Sequence, residues 1–179
     1  MSNDVYLISD THFSHRNILN WSRTQFKTYE EHDDYLIERW NNTVNPTDTV
    51  IHLGDVCFQK ALRYDYVMSK LNGIKRLVMG NHDDLNHDRL KYFNSVHGSL
   101  IDKGDKIVYT HIPVHPSLLE HRWNYNVHGH LHSNQIDDSR YINISCENTS
   151  LTPVLKSNII EEINNDKRTR ETISRTHDS

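Results

Sequence analysis

The sequence predicts an α/β domain in which strands and helices alternate. Short apolar runs typical of buried strands are separated by longer stretches whose apolar residues recur at helical spacing. Several of these apolar runs end abruptly in Asp, His or Asn. A chain of 179 residues fits one domain and can bury a substantial core without staples. These observations favour a layered α/β fold with polar side chains gathered beyond the carboxyl ends of its strands.

The predicted elements follow from the positions of the apolar residues. The segment 5–9 is a short, continuous apolar run, as expected of a buried strand. Lys103-Gly104-Asp105 separates two apolar runs and is typical of a hairpin turn. In chain order, the predicted strands are 5–9, 49–53, 74–79, 95–102, 106–112, 126–128 and 141–145, and the predicted helices are 30–42, 59–71, 116–122 and 157–163.

No linker or internal repeat divides the chain, so we expect one domain over residues 1–165. Residues 166–179 are polar and include several basic side chains, and we expect a flexible tail there. A nucleic-acid-binding module is an alternative reading, but this tail is its main support, because the net charge of −4 creates no overall basic field.

Composition indicates a soluble cytoplasmic protein. The hydrophobic fraction of 35% is compatible with a globular domain. The N-terminal apolar segment 5–8 is too short for a signal peptide or a membrane span, so no membrane association is expected. Two cysteines, Cys57 and Cys146, do not suggest a secreted disulfide scaffold. The sequence does not indicate an oligomeric state.

The chain contains 14 histidines, and several of them lie with Asp and Asn directly after apolar runs. Strand after strand therefore ends in a side chain that can bind a metal, which a hydrophobic core does not require. The polar strand ends, in order, are Asp10-Thr11-His12, Gly54-Asp55, Gly80-Asn81-His82-Asp83, His111 and Gly129-His130-Leu131-His132.

Carboxylate and imidazole donors in one set suit divalent transition metals such as Mn, Fe, Zn or Ni. A bridging Asp can hold two ions roughly 3.5–4 Å apart, as in two-metal phosphatases. Water between two such ions becomes hydroxide near neutral pH, and the ions neutralise charge that develops on phosphoryl oxygens. If such a site cleaves a phosphate ester, the leaving alkoxide needs a proton, so a histidine acid beside the ions is expected.

The five motifs in this order resemble the calcineurin-like metallophosphoesterase superfamily, in particular its small stand-alone bacterial and phage members. The resemblance extends from Asp10 to about Val154. It implies a layered αββα sandwich of two mixed β-sheets flanked by helices. It also implies two divalent metal ions, with manganese first among the candidates, and a set of residue roles. Asp10, His12 and His132 would bind the first ion, Asn81, His111 and His130 the second, Asp55 would bridge them, and His82 would be the catalytic acid.

The sequence departs from the family pattern at one position near the bridging Asp. Many relatives have an acid three residues later that supports the catalytic histidine, but Phe58 occupies this position. The protein Ser/Thr phosphatase branch also has an Arg next, where this chain has Gln59. The partner of His82 is therefore open, and the adjacent Asp83 is one candidate.

Further residues beside the motifs are candidates for substrate contacts. An arginine after the first motif could form paired hydrogen bonds with a phosphate. The tryptophans Trp21, Trp40 and Trp123 are interpreted as packing residues rather than as base-stacking platforms. The candidate substrate contacts are His15, Arg16, Asn17, His115 and His128.

The resemblance implies a phosphoesterase whose metal-bridging hydroxide attacks a phosphodiester while His82 protonates the leaving group. The expected substrate is a small nucleotide-like molecule: a cyclic nucleotide, a nucleotide or a nucleic-acid end. A phosphomonoesterase or nucleotidase acting through the same site is the alternative. A non-catalytic metal-binding scaffold of the same fold is the hypothesis from a different functional class.

Overall fold

The computed structural model describes residues 3–58, 61–84 and 86–165. Within these ranges, the strands are β1 (Val5–Ile8), β2 (Thr49–His52), β3 (Ile74–Val78), β4 (Ser95–His97), β5 (Leu100–Asp102), β6 (Ile107–Tyr109), β7 (Tyr125–His128), β8 (Tyr141–Asn143) and β9 (Val154–Leu155). The helices are α1 (Tyr29–Thr43), α2 (Ala61–Met68) and α3 (His87–Leu90), with 3₁₀ turns at Arg16–Asn20 and Pro116–Leu119 and further helical residues at 156–165.

The first sheet has the strand order β4-β3-β2-β1-β9. Strands β1 to β4 are parallel, because a helix crosses back between each consecutive pair, whereas β9 pairs with β1 in the antiparallel direction. The register places Ile8 opposite His52, and His52 opposite Leu77. The carboxyl ends of β1, β2 and β3 therefore lie side by side at one edge of the sheet.

The second sheet has the order β5-β6-β7-β8. Strands β5 and β6 form an antiparallel hairpin, while β6, β7 and β8 are parallel. The carboxyl ends of β6 and β7 consequently also emerge together. Both sheets are mixed, and each directs a group of strand ends toward loops that carry polar side chains.

The two sheets pack against each other through apolar side chains. Leu7, Ile51 and Val78 of the first sheet belong to one buried cluster with Ile107 and Val127 of the second. Full burial of each such side chain contributes about 1.5–3 kcal/mol. This shared core holds the two groups of strand ends in a constant relative position.

The opposite face of the first sheet is covered by helices. Val50 and Leu77 from the sheet pack in one buried cluster with Leu36 and Trp40 of α1 and Val67 of α2. The outer face of the second sheet has a thinner cover, in which Val108 and Tyr141 pack with Leu119 and Trp123. A 3₁₀ turn and a loop therefore supply much of this cover.

Helix α1 begins where the sequence supplies a capping residue. The Thr28 hydroxyl accepts a hydrogen bond from the Glu31 backbone N–H at 3.1 Å. Glu30 and Glu31 add negative charge to the first turn, which the helix dipole favours. Local signals thus determine the start of this helix, and its buried face determines where the helix packs.

The predicted fold class, two mixed sheets flanked by helices, is confirmed. The prediction of one strand over 95–102 is wrong. The chain leaves the first sheet after β4, passes Gly98-Ser99 and enters the second sheet at β5. A continuous apolar pattern cannot reveal this change, because both strands contribute apolar residues to partly buried sheets.

Other elements differ in length or type. The helix predicted over 59–71 is observed at Ala61–Met68, and the helix predicted over 116–122 is a 3₁₀ turn at Pro116–Leu119. The short elements α3 and β9 had no predicted counterpart. The predicted flexible tail lies outside the described residues. Among the helices described, none combines the length and apolarity needed to cross a bilayer.

Candidate metal centre

The polar strand ends predicted from sequence meet at the adjoining edges of the two sheets. The loops after β1, β2 and β3 bring one set of side chains, and those after β6 and β7 bring the other. The side chains fall into two groups whose potential ligand atoms lie within 4.8 Å of one another inside each group. The first group is Asp10, His12 and His132, and the second is Asp55, His111 and His130.

Asp55 lies between the two groups. Its Oδ2 atom is 3.4 Å from His111 Nε2 in its own group and 3.7 Å from His12 Nε2 in the first. Its Oδ1 atom accepts the backbone N–H of His82 at 3.0 Å, which holds the carboxylate in this orientation. The geometry is that of a carboxylate able to reach ions in both groups, as a bridging ligand must.

Asn81 joins the second group through its side-chain oxygen. Asn81 Oδ1 lies 3.0 Å from His111 Nε2. On the other side of the ring, His111 Nδ1 lies 2.7 Å from the Leu53 carbonyl oxygen, which can only accept, so Nδ1 carries a proton. The other ring nitrogen, Nε2, faces the oxygens of Asn81 and Asp55, and it would be the ligand atom if a metal ion were bound. Burial opposes protonation of His111, but the hydrogen bond of Asp55 and the charges of Asp10 and Asp55 raise its pKa, so this position favours a positive charge, either a proton or a metal ion.

The first group contains buried polar atoms that have no hydrogen-bond partner. Among the described residues, Asp10 Oδ1 and both ring nitrogens of His12 are buried and unpartnered. Leaving such atoms unsatisfied costs roughly 1–3 kcal/mol each, and more for a charged group. A divalent cation between these atoms would satisfy them. The residues present therefore fit the metal ions that the motif pattern implies.

Five of the candidate ligand residues adopt an uncommon backbone conformation. Asp10, His12, Asp55, His130 and His132 have φ angles of 56°, 46°, 57°, 69° and 50°. Non-glycine residues rarely occupy this left-handed region, which costs of order 1–3 kcal/mol at each position. Such strain persists where surrounding structure over-determines it, and it concentrates at functional sites.

Two glycines of the motifs allow the loops to approach one another. A Cβ atom at Gly80 would overlap the carboxylate and backbone nitrogen of Asp55. A Cβ atom at Gly129 would overlap Ser9 Oγ and the Asp10 carboxylate. Each glycine is therefore required by the close approach of a candidate ligand carboxylate from the loop after another strand.

The charges of the site favour ionised carboxylates. Burial opposes ionisation of Asp55, but the hydrogen bond and charge of His111 hold the Asp55 pKa below its usual value. Burial likewise opposes ionisation of Asp10, and the neighbouring His12 and His111 outweigh it, so the Asp10 pKa is also lowered. Burial lowers the pKa of His12. The imidazole of His12 is therefore neutral and available as a ligand.

Glu147 is a buried acid that contacts the first group and was not among the residues predicted from the sequence. Glu147 Oε1 lies 3.1 Å from His132 Nδ1, so this nitrogen donates and Nε2 is left free for a ligand. The same oxygen accepts from Arg23 Nε at 3.2 Å and from Ser22 Oγ at 2.6 Å. Burial opposes ionisation of Glu147, but His132 and Arg23 lower its pKa to about 2.

Arg23 links this acid to the first motif. Its side chain is 1% exposed, and Nη1 donates to the Thr11 carbonyl oxygen at 2.6 Å, while Nη2 donates to the Asp10 carbonyl oxygen. The sequence carried one usable signal for this pair: Glu147 follows the late apolar run, as the ligands follow theirs. Nothing local in the sequence marks Arg23.

We expect Glu147→Gln to weaken metal binding about tenfold or more without unfolding the protein. The neutral amide still fits, but it no longer holds His132 through a charged hydrogen bond, and loss of such outer partners typically costs 10–100-fold in metal affinity. Calorimetric titration with Mn²⁺ measures the change. Glu161→Gln, at an exposed position, is the matched control. Unchanged affinity in Glu147→Gln would exclude this role.

His82 lies at the surface of the site. Its side chain is 48% exposed, and Nε2 is 4.0 Å from Asp55 Oδ2. The ring of Phe58 packs beside it at a centroid distance of 4.6 Å. Phe58 therefore contacts the histidine from the position where many relatives carry an acid, but it cannot accept a proton or a hydrogen bond.

Asp83 does not fill the missing role. Its Oδ2 atom accepts the backbone N–H groups of Asp55 and Gly80, each at 2.9 Å, and its Oδ1 atom accepts that of Val56 at 3.0 Å. The carboxylate thus joins the loops after β2 and β3 instead of supporting the His82 ring. His82 and Asp83 lie at the turn that follows β3, and there the Asp83 carboxylate is directed toward backbone N–H groups and not toward the His82 ring.

Of the candidate substrate contacts after the first motif, His15 lies at the site, whereas Arg16 and Asn17 lie at the surface. The His15 ring stacks on Phe58 at 3.7 Å and lies 5.3 Å from His12, and burial lowers its pKa to about 4. His15 is thus a neutral neighbour of the site. Arg16 and Asn17 are exposed at the start of a 3₁₀ turn, with Arg16 positioned over the Tyr29 ring.

The remaining two predicted substrate contacts lie elsewhere. His128 is 0% exposed and its ring packs edge-on to Tyr141, so burial prevents it from touching a substrate at the surface. His115 is exposed, and its Nδ1 atom caps the following 3₁₀ turn by accepting the Ser117 N–H at 3.3 Å. For both residues the contacts observed are structural.

Comparisons with known proteins agree with this picture. The sequence model of the calcineurin-like phosphoesterases matches residues 4–178. An uncharacterized protein of Methanocaldococcus jannaschii is 32% identical over 176 residues, which cover 93% of this chain and 94% of that protein. The gene 66 protein of Mycobacterium phage L5 is 34% identical over 86 residues, which cover 46% of this chain and 41% of that protein.

Among solved structures, a protein of unknown function from Aquifex aeolicus has the same fold. Its TM-score is 0.72 at 26% sequence identity, covering 89% of this chain and 99% of that chain. The similarity extends over almost the entire solved chain, so the two-sheet architecture is common to both proteins.

Proposed function

The chain belongs to the calcineurin-like phosphoesterase family, and on this premise we propose that it is a metal-dependent phosphodiesterase acting on nucleotide-like substrates. The substrate class is a cyclic nucleotide, a nucleotide or a nucleic-acid end. The observation that carries the proposal is that side chains of both ligand groups meet at Asp55, with Nε2 of His111 and of His12 at 3.4 and 3.7 Å from one carboxylate oxygen. Buried polar side chains that serve only the core are normally satisfied by hydrogen bonds, whereas these atoms face one another at longer distances.

The proposed ligand roles follow the two groups. Divalent ions bound there would supply Lewis acidity toward phosphoryl oxygens and lower the pKa of a water molecule. Mn²⁺ is the first ion to test, although Fe, Zn and Ni suit the same donors. The first ion would be held by Asp10, His12 and His132, the second by Asn81, His111 and His130, and both by Asp55.

His82 is the proposed catalytic acid. In the reaction, a water molecule releases one proton to solvent and its oxygen forms a bond to phosphorus, the bond from phosphorus to the leaving oxygen breaks, and a protonated His82 transfers its proton to that oxygen. The exposed side chain of His82 beside Asp55 suits this task, because a leaving alcohol must depart toward solvent. Asp55 positions the histidine by accepting its backbone N–H.

The charge distribution favours a diester over a monoester. A monoester dianion needs more cationic neutralisation than a diester monoanion, and arginine is the usual side chain for it. Arg23 reaches the centre, but its guanidinium is engaged by the carbonyl oxygens of Thr11 and Asp10 and by Glu147. It is therefore not available to a second phosphoryl charge. A cytoplasmic setting, where nucleotides are abundant, is part of the proposal.

A substrate screen with metal-reconstituted protein tests the proposal. We expect hydrolysis of one or more phosphodiesters among 2′,3′- and 3′,5′-cyclic nucleotides and dinucleotides, and loss of this activity after chelation. Nucleoside monophosphates are the comparison substrates. Cleavage of monoesters alone would replace the proposal with a nucleotidase, and inert protein with every divalent ion would favour a non-catalytic scaffold.

A further inference from the structure

A cleft beside the metal centre plays no part in holding the proposed ions. It has a volume of about 450 Å³, within the range of small-molecule sites, and Trp21, Tyr35, Gln25, Ser133 and Leu151 are among the residues that line it. Ser133 directly follows the ligand His132, and Glu147, the partner of His132, also contributes to the wall. The cleft and the metal centre thus share a wall.

Trp21 is unlike the other two tryptophans of the chain. Trp40 and Trp123 are 1% and 8% exposed, as the packing interpretation predicts, but Trp21 is 56% exposed. Its ring lies 5.0 Å from the His132 ring in an edge-on arrangement. A large aromatic face left open beside a metal ligand gains little stability for the fold, and it offers a surface on which a planar group can stack.

The charges of the cleft exclude a second phosphate as its occupant. Arg23 is the basic residue of its lining, and its donors are already bound to Glu147 and to backbone carbonyl oxygens. Glu147 adds a negative charge to the same wall. The remaining polar side chains include Gln25 and Ser133, both exposed, which are neutral and able to donate or accept hydrogen bonds.

We propose that this cleft is the nucleobase subsite of the enzyme, in which the base of the substrate stacks on Trp21 while its phosphodiester lies at the adjacent metal centre. A nucleobase is neutral, planar and polar at its edges, and so matches an aromatic face with neutral hydrogen-bonding groups around it. The inference rests on the proposed phosphodiesterase function and names the part of the substrate that the enzyme recognises.

A pair of substrates with one leaving group tests the subsite. Thymidine 5′-(p-nitrophenyl phosphate) and methyl p-nitrophenyl phosphate share the p-nitrophenolate leaving group, but only the first carries a nucleobase for the cleft to bind. We expect the wild-type protein to prefer the nucleoside ester, and Trp21→Ala to reduce that preference in kcat/KM by about tenfold or more, the size expected for loss of base stacking. Trp21→Phe should retain a substantial part of it, because a ring remains.

The ratio of kcat/KM for the two esters separates recognition of the base from indirect effects of the substitution on the metal centre. Trp21 touches His132, so its removal can slow both esters, but such a loss cancels in the ratio. Tyr66→Ala, at an exposed tyrosine of α2, is the control and should leave the preference unchanged. An equal loss for both esters in Trp21→Ala would overturn the subsite while leaving the phosphodiesterase function intact.

Binding without catalysis provides a second test. Trp21 is the solvent-exposed tryptophan, so a base stacked on it should quench intrinsic fluorescence. We expect quenching by a nucleoside 5′-monophosphate and none by ribose 5-phosphate. If the protein cleaves neither ester, the phosphodiesterase function fails, and this titration still decides the subsite. Equal responses to the two ligands, or none, would overturn it.

Discussion

Replacement of Asp55 by asparagine is expected to lower kcat on the order of a thousandfold and to reduce the metal content of the protein. The asparagine would keep the size of the side chain and one acceptor for the His82 N–H, but it would lack the charge that faces both ligand groups. Lewis-acid stabilisation by bound ions is worth several kcal/mol, and each 1.36 kcal/mol is tenfold in rate.

Metal analysis and activity on a phosphodiester, measured on the same reconstituted sample, check this result. Asp137→Asn is the matched control, since Asp137 is an exposed aspartate outside the two groups. Circular dichroism establishes that both variants are folded. An Asp55→Asn protein that retains two ions and the rate of the wild type would contradict the bridging role.

Replacement of His82 by alanine is expected to lower kcat by about 10²–10⁴-fold for substrates with alkoxide leaving groups, while metal content and folding stability stay at the wild-type level. The side chain is about half exposed, so its truncation leaves no buried cavity. The backbone N–H that Asp55 accepts remains in the variant. His82→Ala is therefore expected to keep its metal ions, whereas Asp55→Asn is expected to lose metal.

The leaving group provides the diagnostic for His82. p-Nitrophenolate is stable without a proton, so its departure gains little from a general acid, whereas a nucleoside alkoxide must be protonated. The loss in His82→Ala should thus be much smaller for a p-nitrophenyl ester than for a dinucleotide. His121→Ala, at an exposed histidine, is the control. A loss of the same size for both leaving groups would assign His82 to substrate binding instead.

Much of the fold was predictable because its signals are local. Continuous apolar runs predicted β1, β2 and β3, and apolar residues at helical spacing predicted α1. The sequence does not reveal the break between β4 and β5 within 95–102, because apolarity specifies burial but not which sheet a strand joins. The 3₁₀ turn at Pro116–Leu119 differs from the predicted helix for a related reason. In so short a segment, contacts with the surrounding structure decide whether α or 3₁₀ hydrogen bonds form.

The candidate ligands were predictable as a set because each follows an apolar run in the sequence. Their partners were less so. Glu147 follows a strand as the ligands do, but its contact with Arg23 joins positions 124 residues apart. The sequence shows Phe58 only as the absence of an acid, whereas its contacts with His82 and His15 depend on the folded loops.

The sequence by itself determined the family, the alternation of elements and the set of residues able to bind metal, because each depends on residue type and near-neighbour spacing. Only the tertiary structure decided which ligands share a group, that Asp55 faces both groups, that Asp83 joins two loops and that Trp21 is exposed beside His132. These facts are distances between segments remote in the chain. They are set by the packing of two sheets against a common core, which no local pattern encodes.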